Sequence, residues 1–221
     1  MSGGYRKAAD LPAIIPVFPL DGALLLPGGV LPLNIFEPRY LNMIDDALAG
    51  ERIIGMIQTI PGGPKDRPHL AEVGCAGRLT AFSETGDGRY LVSLTGLCRF
   101  RIERELLAQT PYRQVQPAFA PYEPDLAAGE AADDEDGFDR VRFLSSLKTY
   151  LDRRGMEIDW DGADEAPCGA LVNSLAMALP FEPAEKQALL EAPDADTRRA
   201  ALVALLEIDA AESGDEPTQM Q

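Results

Sequence analysis

The apolar residues of this 221-residue chain change their spacing part-way along, and that change limits the available folds more than any single motif. From Ile14 to about Tyr122 they fall in short runs bounded by Pro and Gly clusters, the signature of strands. The clearest run is Cys98 to Arg104, where Cys98, Phe100 and Ile102 alternate with Arg99, Arg101 and Glu103. A period of two sends the first set to a core and the second to water. Just upstream, Glu84-Thr-Gly-Asp-Gly-Arg89 separates two such runs, and Asp-Gly there predicts a hairpin. Beyond residue 138 the spacing becomes three or four: Val141, Leu144, Leu147, Leu151; then Leu171, Leu175, Ala178; then Leu202, Leu205, Leu206. That spacing predicts helices, punctuated by Pro180 and Pro183, with Asp194 placed to cap the last.

One helix interrupts the strand region. Pro38 suits a first helical turn, Leu41, Ile44 and Leu48 share a face, and Gly50 follows as a stop. Residues Thr59 to Leu70, rich in Pro, Gly and charge, read as an exposed loop. Between Glu123 and Asp139 there are eight acidic residues and no basic one, which reads as a solvated linker. The expected organisation is therefore a flexible start (1–12), a β-rich domain (13–122), an acidic linker (123–137), a helical subdomain (138–210) and a flexible tail (211–221). No repeat of 20 to 50 residues is visible.

With 46% hydrophobic residues the chain can bury a real core. Its formal net charge of -16 repels nucleic acid and anionic membranes, so neither is an expected partner. The longest apolar stretch, Ala23 to Leu33, is broken by Pro27, Gly28, Gly29 and Pro32 and is too short to span a bilayer. No signal-peptide pattern follows Arg6 and Lys7, so a cytoplasmic location is expected. Cys75, Cys98 and Cys168 are widely spaced without a CxxC pair and read as reduced core thiols.

Catalytic patterns are weak. A phosphate-cradling GxxxxGK[ST] loop is absent, and Gly86-Asp-Gly88 lacks the third glycine of a dinucleotide fingerprint. His69, the single histidine, precedes Cys75 by six residues, but Cys75 shares its strand face with Val73 and Leu79, so the pair reads as a surface histidine and a buried thiol. Ser145-Ser-Leu-Lys148 matches S-x-x-K without its companion motifs and reads as a polar helix face. Asp45-Asp46 and Asp159-Trp-Asp161 supply neighbouring carboxylates that diverge, so no metal and no cofactor is expected.

Ile15-Pro-Val-Phe-Pro-Leu20, Leu26-Pro-Gly-Gly, and Leu31-Pro-Leu-Asn-Ile-Phe-Glu-Pro-Arg-Tyr40 together resemble the opening of the LON domain. That domain forms the amino-terminal region of Lon proteases, occurs in cereblon, and exists as free-standing bacterial proteins. Glu72-Val-Gly-Cys-Ala-Gly77, the hairpin at Gly86-Asp-Gly88, and Leu94-Thr-Gly-Leu-Cys-Arg-Phe-Arg-Ile102 continue the likeness in order. It is strong over residues 13–122 and weaker to about 209, where Leu179-Pro-Phe-Glu-Pro resembles the helices that follow the β-domain in Lon. Nothing resembles Lon's ATPase module or its Ser-Lys protease domain.

The resemblance implies an α+β fold: a β-rich pseudo-barrel with one inserted helix, followed by a C-terminal helical bundle. It implies a non-catalytic protein-binding module that recognises exposed or unfolded segments, with peptide segments or a protease as partners. An adaptor of an ATP-dependent protease and a hydrolase with an unrecognised site are the rival readings. By residue type, Phe36 and Tyr40 read as core aromatics and Glu37–Arg39 as an ion pair at the helix start. The contact candidates are nevertheless Phe36, Glu37, Arg39 and Tyr40 in that run, and Pro61, Pro64 and His69 in the loop.

Overall fold

A computed structural model describes residues 4–64, 67–127 and 138–212. Its strands are β1 (Ile15–Pro19), β2 (Val30–Ile35), β3 (Ile53–Ile57), β4 (Thr59–Ile60), β5 (His69–Leu70), β6 (Val73–Glu84), β7 (Tyr90–Glu105) and β8 (Arg113–Ala118). The helices are α1 (Pro38–Ala49), α2 (Arg140–Arg154), α3 (Trp160–Glu165), α4 (Cys168–Ala178), α5 (Pro183–Glu191) and α6 (Ala195–Glu212). None is long and apolar enough to cross a membrane among the described residues.

The main sheet has the order β2-β7-β6-β3-β1-β8, and β7 also pairs with β8. That extra pairing returns the far edge of the sheet to β7 and makes a pseudo-barrel of β7, β6, β3, β1 and β8. β7 serves both purposes by its length of 16 residues: residues 90–95 pair with β2, and residues 101–105 with β8. Register shifts in the β6–β7 and β7–β8 ladders supply the bend, since a bulge curves and twists the strand that carries it. The hairpin turn is where Asp-Gly predicts it: Gly88 has φ +79° and donates to the Thr85 carbonyl.

Alternation then sorts the side chains into two cores. Ile15, Val17, Ile57, Cys98, Phe100 and Val115 fill the pseudo-barrel, while Val73, Cys75, Leu79, Val92 and Leu94 face the helices. Leu11 joins the barrel core, and Glu123 accepts a bond from the Ala8 amide, so this part of the expected flexible start is tied down. Gly96 has a separate task. It exchanges backbone bonds with Gly28 and Gly29, and a Cβ there would overlap the Leu26 carbonyl. The Leu26-Pro-Gly-Gly turn therefore docks on β7 only because Gly96 lacks a side chain.

Pro38 opens α1 and Gly50 closes it, as the sequence predicts, but the buried face is Tyr40, Met43, Ile44 and Ala47. Leu41 and Leu48 flank that stripe half-buried. In α2 the buried set is Phe143, Leu147, Tyr150 and Leu151, and Val141 is 82% exposed, a correction to its expected core place. Leu171 and Leu175 of α4 and Leu202 and Leu206 of α6 are buried, and the Asp194 side chain caps α6 by accepting from the Thr197 amide.

Strand alternation fails at Arg99. Predicted to face water, it is 4% exposed. Its guanidinium bonds Asp125 through Nε and Nη2, each at 2.9 Å, and donates to the Leu190, Ala192 and Pro193 carbonyls at the end of α5. Asp125 lies in a 3-10 segment, Ala120–Leu126, whose Tyr122 ring stacks 4.8 Å from the Arg99 guanidinium. The first residues of the expected acidic linker are thus docked, not solvated; residues 128–137 lie outside the described part. Burial is the largest single influence and works against the Arg99 charge, but the hydrogen bond to Asp125 and that carboxylate's charge, with smaller help from Tyr122 and Cys75, together hold the pKa above its ordinary value. Arg198 adds a second buried guanidinium, donating to the Leu189 carbonyl and Asn173. Desolvation, and then the charge on Arg99, lower its pKa to about 10.

The free carbonyls of a helix end need donors, and here two arginines from β7 and α6 supply them. Removing one partner of such a pair strands the other in low dielectric. Arg99→Ala and Asp125→Ala should each lower unfolding free energy by about 3–5 kcal/mol in urea titrations. The double change Arg99→Met with Asp125→Leu should cost clearly less than the sum of the two alanine variants.

Candidate protein-binding surface

The ribbon formed by β2, the first half of β7 and the second half of β6 extends past the barrel. Its register aligns three rows: Pro32–Ser93–Ala81, Leu33–Val92–Phe82 and Asn34–Leu91–Ser83. Residues 32–34, 81–83 and 91–93 line a groove of about 450 Å³ without a charged side chain. On one face Val92, Leu94, Leu79 and Ile35 are buried against the helical layer. Apolar groups also remain in solvent: Val30 is 58% exposed, Leu91 47% and Phe82 42%.

Both long sides of this ribbon lack a partner strand among the described residues. β2 pairs only with β7, and the β3 ladder on β6 ends at Arg78. An unpaired side presents backbone N–H and C=O groups to any extended chain that approaches. Pro32 blunts β2 by removing one N–H, the position in a sheet where proline is tolerated. The surface therefore offers directional backbone bonding beside uncharged apolar area.

The seven contact candidates do not come together. Phe36 is 62% exposed at the hairpin end of the ribbon, with Arg89 5.9 Å from its ring centre. Tyr40 is only 6% exposed and packs on Phe18 at 4.4 Å, so its ring belongs to the core, and burial raises its pKa. Glu37 and Arg39 form the ion pair that their spacing suggests, at 2.9 Å on the surface. Pro61, Pro64 and His69 lie exposed around the small β4–β5 ladder, at the opposite end of β6. The expected loop at 59–70 is thus partly a two-stranded ribbon.

The groups behind the catalytic readings are also placed. Cys75 is 1% exposed, and burial pushes its thiol pKa up; His69 is on the outside. Burial likewise pushes the Cys98 thiol up to about 12. Ser145 and Lys148 are exposed on α2. Asp46 accepts from the Tyr112 hydroxyl at 2.7 Å.

A family model described as the ATP-dependent protease La (LON) substrate-binding domain matches residues 14–207. The chain belongs to this family. The LON domain chain is 27% identical over 220 residues to Lon protease 2 of Myxococcus xanthus, covering 92% of this chain and 24% of that protein. It is 33% identical over 106 residues to Lon protease of Anaeromyxobacter dehalogenans, covering 47% of this chain and 12% of that one. It therefore spans a quarter or less of these two relatives. Among solved structures, the N-terminal domain of Mycobacterium avium complex Lon protease superposes with TM-score 0.63 at 21% identity, covering 88% of this chain and 98% of that one. A Lon N-terminal domain protein from Xanthomonas campestris gives 0.59 at 24% identity, covering 86% and 97%. Both share the fold of the LON domain chain.

Sequence reasoning missed Val30, Phe82 and Leu91. The signal available was the pair Leu91-Val92, two apolar neighbours that cannot both enter one core from a strand. The two aromatics at the start of α1 should separate cleanly in unfolding experiments. Tyr40→Ala should cost about 3–5 kcal/mol and Phe36→Ala well under 1 kcal/mol.

Proposed function

We propose that this LON domain chain binds exposed, apolar segments of other proteins in extended form, along β2 and the adjoining groove. The supporting observation is the open side of β2 next to an uncharged groove with Val30 and Leu91 in solvent. Backbone pairing along a sheet edge accepts many sequences, while alternate side chains settle in apolar recesses, a combination suited to unfolded chains. An exposed apolar patch of this kind is itself a mark of an interaction surface. The substrate-binding family supports the same reading, with a role in protein quality control in the cytoplasm, where bound segments pass to a protease. The role is non-catalytic.

Binding can be followed by fluorescence anisotropy of a labelled, chemically unfolded model polypeptide. Val30→Asp with Leu91→Asp should weaken it by about tenfold or more, since each lost apolar contact is worth on the order of 1.5 kcal/mol or more. Thermal unfolding should not move, because both side chains are exposed. Full affinity in the double variant, or no binding by the unaltered protein, would remove this reading.

A further inference from the structure

We propose that the groove between α2 and α3 is a separate docking site for a cationic, amphipathic segment of another protein. The groove measures about 470 Å³ and is lined by Leu144, Ser145, Lys148, Trp160 and Asp164. Trp160, the single tryptophan of the chain, is 36% exposed there. Val141, three residues before Leu144 on the same helix face, stands 82% exposed. A helix that spends an apolar residue on solvent beside an open indole has an unpartnered apolar ledge.

Charge decides what fits the ledge. Glu157, Asp159, Asp161, Asp164 and Glu165 are all exposed, and no ion pair joins any of them to a basic side chain among the described residues. Of the nearby cations, Arg142 pairs with Glu207 at 2.8 Å, while Arg140 holds its guanidinium at the end of α3, donating to the Ala163, Asp164 and Ala166 carbonyls. Lys148 is the only basic side chain on the groove itself. On the groove lining Asp164 balances Lys148, but around it the carboxylates of Glu157, Asp159, Asp161 and Glu165 outnumber the Arg140 guanidinium, which favours a basic partner and disfavours an acidic one, including a second copy of a chain with net charge -16. An apolar side chain would cover Leu144 and Val141, and a Lys or Arg would sit over the indole face, which attracts cations. This site stands independently of the β2 surface.

Trp160 also reports on its own occupancy. Titrating the whole protein with a helical Leu/Lys peptide should shift and saturate the tryptophan emission, with affinity falling as salt rises. A Leu/Glu peptide of equal length should leave it unchanged. Asp161→Lys with Asp164→Lys and Glu165→Lys should weaken the Leu/Lys peptide on the order of tenfold or more, and Val141→Ser, which removes apolar contact without adding charge, by about threefold or more. The equally charged set Glu51→Lys, Glu84→Lys and Glu103→Lys should bind as the parent does. Equal response to both peptides, or equal weakening by both charge-reversal sets, would overturn the proposal. So would an emission change that tracks self-association in sedimentation, which would assign the ledge to a second copy.

Discussion

The Arg99 guanidinium binds three parts of the chain that are remote in sequence. It leaves β7, meets the Asp125 carboxylate in the 3-10 segment, and closes on the carbonyls that end α5. A helix terminus carries unpaired carbonyls and partial negative charge, so it needs a donor wherever it is buried. A buried guanidinium likewise needs acceptors on every side. Each defect remedies the other, and the geometry this demands fixes how the helical layer lies against the sheet. Arg198 of α6 repeats the theme on the Leu189 carbonyl of α5, and Lys186 of α5 does so on the Gly22 carbonyl and on that of Met177 in α4. Burial without a carboxylate lowers the Lys186 pKa.

With that joint in place the β-rich and helical parts share one hydrophobic layer, in which Leu79 and Leu94 lie with Leu147 and Leu206. A separate linker is the wrong picture for residues 123–126, although it follows from composition. The same arrangement leaves the β2–β7–β6 ribbon projecting beyond the barrel. Its inner side is covered where helices reach, and its outer side and edges are not. Val30, Phe82 and Leu91 are among the apolar side chains that stay in solvent, and all three lie on that projection.

Period and punctuation in the sequence foretold much of the fold: the Asp-Gly hairpin, the Pro38 start and Gly50 stop of α1, the Asp194 cap, and the two-then-helical order of layers. These depend on contacts within a few residues, which local spacing encodes. Arg99 and Val141 show where that reasoning stops. An arginine between Cys98 and Phe100 is outward by alternation, and whether outward means water depends on what packs there. Val141 has helical spacing, yet α2 turns its Phe143–Leu147–Tyr150 stripe inward, because the larger side chains bury more area.

By itself, then, the sequence determined the strand and helix content, the order of the layers and the likeness to a LON domain, all of them carried by short-range pattern. Only the tertiary structure decided that Arg99 and Asp125 are a joint, that Tyr40 is core while Phe36 is surface, and that Phe36 and the 59–70 ribbon lie at opposite ends of β6. Exposure and convergence are properties of surfaces that distant segments build together, and no local spacing records which of them will meet.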